Sequence, residues 1–259
     1  MKRFAALLYA ILSYTVFFAT FLYLIGFIGN LFVPKAIDGP LMVPIWQALL
    51  TNIGLIVLFG VQHSVMARPW FKVWWTRFVP QAVERSTYVL FSSLALIAIF
   101  VFWQPMGGNI WTVESPMLYN GLMVLFFLGW GILLLSTFLI NHFDLTGLRQ
   151  AWLYFRGKDY TDLKFRVPGL YKFVRHPLYL GFLIAFWAAP DMSWTRLFFA
   201  SLMTLYILLG IQWEEKDLIA HFGKTYLAYK RAVPMIFPSL SIRKHRKPTY
   251  ETAFKKSGS

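Results

Sequence analysis

The chain has 259 residues, of which 58% are hydrophobic and 19% aromatic, against only 14% charged. An average soluble domain carries about 25% charged residues, and a water-soluble fold of this length could not bury so much apolar surface, so the composition points to a membrane protein. There is no cysteine, which excludes a disulfide framework, a protein thiolate nucleophile and a cysteine-ligated metal, and no metal site is expected.

The first apolar run, Phe4–Phe32, is too long and too aromatic for a cleaved signal peptide, whose core has about 7–15 residues. It reads as a retained span. A crossing helix needs about 20 mostly apolar residues, and Ile45–Ala67, Ser86–Trp103 and Met117–Ile140 supply the next candidates. A shorter run, Leu178–Ala189, is followed by a tight turn at Pro190 and Asp191 and then by Leu197–Trp213. These last two form a helical hairpin. The expected fold is therefore all-α and integral to the membrane, with six helices, or five full crossings if the short arm only dips in. Residues 1–238 make one transmembrane domain, and 239–259 form a basic tail expected to be disordered.

The net charge is +14. With the N-terminus placed in the cytoplasm, every lysine and arginine except Lys35 and Arg196 falls in a cytoplasmic segment. That asymmetry follows the positive-inside rule. It accounts for the charge through anionic lipid head groups, without nucleic acid.

The same orientation gathers the polar residues. His63 and Ser64 end the second span; Asn141, His142 and Asp144 end the fourth; Arg175 and His176 open the fifth; Glu214 and Glu215 end the sixth. Ionisable groups at membrane depth are costly and mark function. Each has a plainer reading too. His63 can be a packing residue, Arg175 a snorkelling anchor, and the acid pair a solvated helix end. Two acids at a helix C-terminus oppose the macrodipole and call for a compensating cation.

Read together, the clusters suggest one polar cavity. Paired carboxylates suit an ammonium or sulfonium, and an arginine beside a histidine suits a carboxylate or phosphate. Pro177 can start a helix without wasting a hydrogen bond, and Gly181 leaves room for a flat group near the backbone. A ligand with an amino acid, a nucleoside and a positive centre would use all of these features, and S-adenosylmethionine is one.

The pattern Arg175, His176, Pro177, Tyr179, Gly181, followed by Glu214 and Glu215 and then "HFGKTYLAYKRAVPMIFP", resembles the isoprenylcysteine carboxyl methyltransferase and phospholipid methyltransferase group. "QHSVMARPWFK", "ERSTYVL" and "STFLINHFDLTGLRQ" extend the likeness to the methanethiol S-methyltransferase family of NnrU-type membrane proteins, from Met1 to about Pro238. The resemblance implies a multi-pass enzyme of the bacterial inner membrane with its active site on the cytoplasmic side. It implies methyl transfer from S-adenosylmethionine to a small volatile thiol, methanethiol, giving dimethyl sulfide and S-adenosylhomocysteine. The cofactor would be held by Arg175, His176, Pro177, Tyr179, Gly181, Glu214 and Glu215, within about 141–238.

His142, Asp144 and His63 are the candidates for the catalytic base, with Asp144 available to orient a histidine; the sulfonium charge could also make a base unnecessary. The run Glu215–Pro238, with Leu218, Ile219, Phe222, Tyr226 and Tyr229 near one face, reads as an interfacial helix and lid, and Gly147–Val174 as a second flap. An isoprenylcysteine carboxylate, a phospholipid amine or another thiol remain open as acceptors. A haem held by His63 and His142 remains open as a different class. The oligomeric state is not legible.

Overall fold

The computed structural model describes residues 1–238, so the basic tail at 239–259 lies outside the described residues. The elements in chain order are α1 (Lys2–Gly29), α2 (Ile45–Ala67), α3 (Pro69–Trp75), α4 (Glu84–Phe102), β1 (Asn109–Thr112), α5 (Pro116–Ile140), α6 (His142–Leu145), α7 (Leu148–Phe155), α8 (Pro177–Trp187), β2 (Asp191–Ser193), α9 (Trp194–Phe222) and α10 (Lys224–Ala232). Short 3₁₀ turns occupy Gln81–Val83 and Gly169–Lys172.

Five helices are long and apolar enough to cross a membrane: α1, α2, α4 with its 3₁₀ lead-in, α5 and α9. The protein is a multi-pass membrane protein. Helix α8 has 11 residues, about 16 Å at 1.5 Å per residue, well short of a hydrocarbon core of about 30 Å. Among the described residues there are thus five helices of spanning length and one shorter apolar helix, α8. One end of the bundle holds the start of α1 and α8 and the ends of α2, α5 and α9; we call it the basic end.

The opposite end is closed by a feature that hydropathy does not announce. The segment after α8 is more than a tight turn: Asp191–Ser193 pairs antiparallel with Asn109–Thr112, and Val113 N–H donates to the Pro190 carbonyl at 3.1 Å. Backbone groups near lipid need partners, and a two-stranded ribbon supplies them. Beneath it, buried Arg196 donates to the Ile28 carbonyl at 2.7 Å and pairs with Asp38 at 3.4 Å. A guanidinium at the last turn of α1 suits the negative end of that helix.

The short helix is held by backbone contact. A Cβ placed on Gly129 of α5 would lie 2.7 Å from the Gly181 carbonyl oxygen and the Ala185 nitrogen of α8, and one on Gly181 would lie 2.6 Å from the Gly129 oxygen. Small residues let helices meet this closely where lipid offers no hydrophobic gradient between them. Gly181 therefore acts first in helix packing. The start of α8 is set into the bundle, since Tyr171, just before it, donates its hydroxyl to Ser136 of α5 at 3.4 Å.

Helix α9 also differs from its sequence reading. It runs past Trp213 to Phe222, so Glu214 and Glu215 lie inside the helix and not at its end. Glu214 is 20 residues beyond Trp194, about 30 Å along the axis, the thickness of a hydrocarbon core. Gly223, with φ 54°, breaks the helix, and α10 follows. The apolar face expected of one interfacial helix is shared between the two. Tyr226, Tyr229 and Val233 pack with Leu218, Ile219, Phe222 and Phe165.

Candidate active site

The basic end holds a knot of charged residues. Arg175 Nε donates to Glu215 Oε1 at 2.7 Å, His176 Nε2 lies 3.1 Å from the same oxygen, and Lys230 Nζ is 2.6 Å from Glu215 Oε2. The neighbouring acid is bound differently. Glu214 accepts the Tyr179 hydroxyl at 2.9 Å, and His176 Nδ1 is 3.8 Å from it. The Glu215 side chain is 6% exposed and the Glu214 side chain 42%, so one acid is a sealed structural anchor and the other faces outward. The cations that compensate Glu215 come from α10 and from the step before α8.

The step itself is pinned. Pro177 opens α8 at its first turn, where a missing N–H is harmless. Arg175 N–H donates to the Pro234 carbonyl at 2.8 Å and His176 N–H to that of Met235 at 3.1 Å. Arg175 Nη1 also donates to the carbonyls of Lys230 and Val233 at the end of α10, at 3.0 and 2.6 Å. Helix α10 is thereby fastened over the Arg175–Glu215 pair. Burial holds the Tyr226 hydroxyl of this helix above its ordinary pKa, with the Glu215 charge adding to the effect. That hydroxyl is buried close to the Glu215 carboxylate.

The other candidates form separate networks. His142 is buried between α1 and α5. Its Nε2 is 3.0 Å from the Tyr14 hydroxyl, its Nδ1 2.9 Å from Thr137 Oγ1, and Phe138 stacks on the ring at 4.4 Å. Asp144 does not orient it. Asp144 is ion-paired with Arg85 and with Arg149, the latter at 2.9 Å, and accepts Tyr160 at 3.3 Å. Two guanidiniums outcompete an imidazole for a buried carboxylate. Both arginines also lie over the Tyr160 ring, which ties the stretch after α7 to the bundle.

His63 lies between α2 and α4. The Tyr88 hydroxyl is 2.9 Å from its ring nitrogens, and Ser92 Oγ is 3.2 Å from Nδ1. The next residue, Ser64, shares a 3.0 Å hydrogen bond with Tyr206 of α9. The single cavity expected from the sequence is therefore four separate contact networks, around Glu215, His142, Asp144 and His63. His63 and His142 each have both ring nitrogens engaged by hydroxyls of the protein, which leaves neither poised as a haem ligand.

Comparison with known proteins identifies the family. The chain is 52% identical over 238 residues to methanethiol S-methyltransferase of Crocosphaera subtropica, covering 92% of this chain and 93% of the relative. It is 50% identical over 238 residues to methanethiol S-methyltransferase of Mycobacterium tuberculosis, covering 92% and 98%. The chain belongs to the methanethiol S-methyltransferase family. Nurim of Sus scrofa is a more distant relative, 29% identical over 193 residues, 70% of each chain. No protein-family model matches the chain, and no solved structure matches it.

As a member of the methanethiol S-methyltransferase family, the protein requires a methyl donor and an acceptor site. The sequence reading missed several residues at the centre of these networks. Lys230, the second cation on Glu215, resembles any surface lysine in an interfacial helix. Tyr88 and Tyr206 resemble ordinary aromatic residues of a span; only their positions one and two turns from other polar groups could have marked them. Ser92 would have been read as a small packing residue.

Proposed function

We propose that the protein transfers a methyl group from S-adenosylmethionine to methanethiol, forming dimethyl sulfide, at the cytoplasmic face of a bacterial inner membrane. The observation that carries this reading is the meeting of Arg175, His176 and Tyr179 with Glu214 and Glu215 from a different helix. The family relatives at about half identity support the acceptor.

The residues fit such a donor chemically. Glu214 keeps one carboxylate oxygen free of the Tyr179 bond and is half-exposed, which suits an ammonium or sulfonium. Glu214, Tyr179 and His176 would touch the donor, Arg175 and Glu215 would fix the knot around it, and Pro177 and Gly181 would set α8 in place, with α10 above. Bound S-adenosylmethionine supplies an electrophilic methyl on a positive sulfur. The protein's work is then orientation and exclusion of water from an in-line displacement, and removal of the thiol proton. The cytoplasmic side follows from the concentration of lysine and arginine at the basic end.

The test uses the purified protein in lipid nanodiscs with methyl-labelled S-adenosylmethionine and methanethiol. Labelled dimethyl sulfide in the headspace is the expected result. A sample that binds the donor yet yields none overturns the acceptor assignment.

A further inference from the structure

At the basic end, α2 and α9 leave between them an open groove of about 320 Å³, lined by Ser64, Val65, Arg68, Trp213, Lys216 and Asp217. None of these residues takes part in the Arg175–Glu215 knot, and methyl transfer gives the groove no role. Its depth follows from the helices. Arg68 lies 23 residues beyond Ile45, and Asp217 lies 23 beyond Trp194, about 34 Å along either axis. A hydrocarbon core is about 30 Å thick, so both charges stand just past it, at the level of lipid head groups. Val65 and Trp213 lie one turn closer to the core, and the indole, 41% exposed, suits that boundary.

Polar contacts join the two helices beside the groove. Ser64 Oγ and the Tyr206 hydroxyl are 3.0 Å apart, and Arg68 Nη1 donates to Asp217 Oδ2 at 2.8 Å. Arg68 Nε also donates to the Ser64 carbonyl at 3.2 Å. These bonds fix the guanidinium and use two of its five N–H donors. The other three have no partner among the described residues. Lys216 is exposed and makes no ion pair or hydrogen bond among the described residues. Two cations against one carboxylate leave the lining side chains with a net charge of +1. An oriented guanidinium with free donors, a free ammonium on the same groove and an apolar wall beneath them match a phosphodiester whose chains lie in the bilayer. The surplus positive charge favours a head group whose phosphate is not offset by an ammonium of its own.

We propose that this groove binds one anionic glycerophospholipid from the leaflet at the basic end. The phosphate bridges Arg68 and Lys216 and so ties α2 to α9. The first carbons of the acyl chain lie against Val65 and Trp213. The site is independent of the methyl acceptor and of the donor.

The test uses the full-length protein in non-ionic detergent, with native mass spectrometry as phosphatidylglycerol and phosphatidylethanolamine are titrated in equal amounts. The two lipids share chains and phosphate and differ in net charge. One phosphatidylglycerol should be held at least about fivefold more tightly than phosphatidylethanolamine, the worth of one basic residue near a lipid surface. Lys216→Gln breaks no bond within the protein and should weaken phosphatidylglycerol by about fivefold; Arg68→Gln should weaken it by at least as much. Lys158→Gln, exposed elsewhere at the basic end, should leave it within about twofold. Equal affinity for the two lipids, an equal loss in Lys158→Gln, or unchanged affinity in Lys216→Gln reduces the binding to diffuse surface charge and overturns the site. A phosphatidylglycerol with a photoreactive group near the head of its acyl chain should label residues 61–72 or 209–217. Label confined to other segments also overturns the proposal.

Discussion

Glu214 and Glu215 are adjacent in sequence, yet the structure gives them different surroundings. Glu215 is sealed between Arg175, His176 and Lys230, whereas Glu214 is half-exposed and holds one tyrosine hydroxyl. Removing one partner of a buried pair leaves the other charge uncompensated. Glu215→Gln should therefore cost about 3 kcal/mol of stability through stranded Arg175, read as a drop in melting temperature in nanodiscs. Glu214→Gln should change stability by no more than about 0.5 kcal/mol and weaken S-adenosylmethionine binding by about tenfold or more, read by calorimetry. His142 gives a pH prediction at the same scale. Burial lowers its pKa below the ordinary 6.5, so the unfolded chain binds the proton more tightly. Stability from this residue is complete above pH 6.5 and is lost as pH falls below it towards the depressed folded value. In His142→Gln, the decline in melting temperature between about pH 7 and pH 5 should be shallower.

At the scale of elements, the short helix α8 carries part of the Arg175–Glu215 charged knot's surroundings, including Tyr179, and depends on α5 for its position. Backbone touches backbone at Gly129 and Gly181, so a methyl at either site meets atoms that cannot rotate away. Gly129→Ala should destabilise the protein by about 1–3 kcal/mol, as overpacking does. Gly131→Ala, two residues on and on the opposite face of α5, with nothing within 4 Å of the new Cβ, should be neutral. Thermal melts of the two variants side by side separate packing from helix propensity, since alanine is the better helix former at both positions. Helix α10 is joined to this unit through the Arg175 bonds to its last carbonyls. Donor binding and the closure of α10 should therefore be coupled through a single side chain.

At the scale of the whole molecule, the charge distribution gives an orientation that can be measured. The absence of cysteine makes a clean background for single-cysteine labelling. Met42→Cys, on an exposed loop at the ribbon end, should react with a membrane-impermeant maleimide in intact cells. Lys158→Cys, exposed at the basic end, should react only after permeabilisation. The reverse pattern would put the site on the other side of the membrane.

Much of the architecture was legible because lipid imposes a simple code. A crossing helix must be long and apolar, and α2 has the same ends, Ile45 and Ala67, in sequence and structure. The order Arg175-His176-Pro177-x-Tyr179-x-Gly181 and the later acid pair were also readable, since they are local patterns. The extension of α9 to Phe222 was not. The acids there looked like a terminus because their countercharges, Arg175 and Lys230, lie 40 and 15 positions away in the chain. The ribbon was hidden because three residues of strand carry no hydropathy period, and its partner lies beyond α5. The partition of the polar residues into four networks was equally hidden. Helix ends at one depth can be counted from a sequence, but the azimuth of each side chain is set by which helices touch. Composition and hydrophobic length thus determined that the chain lives in a membrane and where it crosses, as these are sums over local residues. Only the tertiary structure decided which acid is sealed and which is open, and which hydroxyls engage each histidine, because those depend on contacts between residues far apart in the chain.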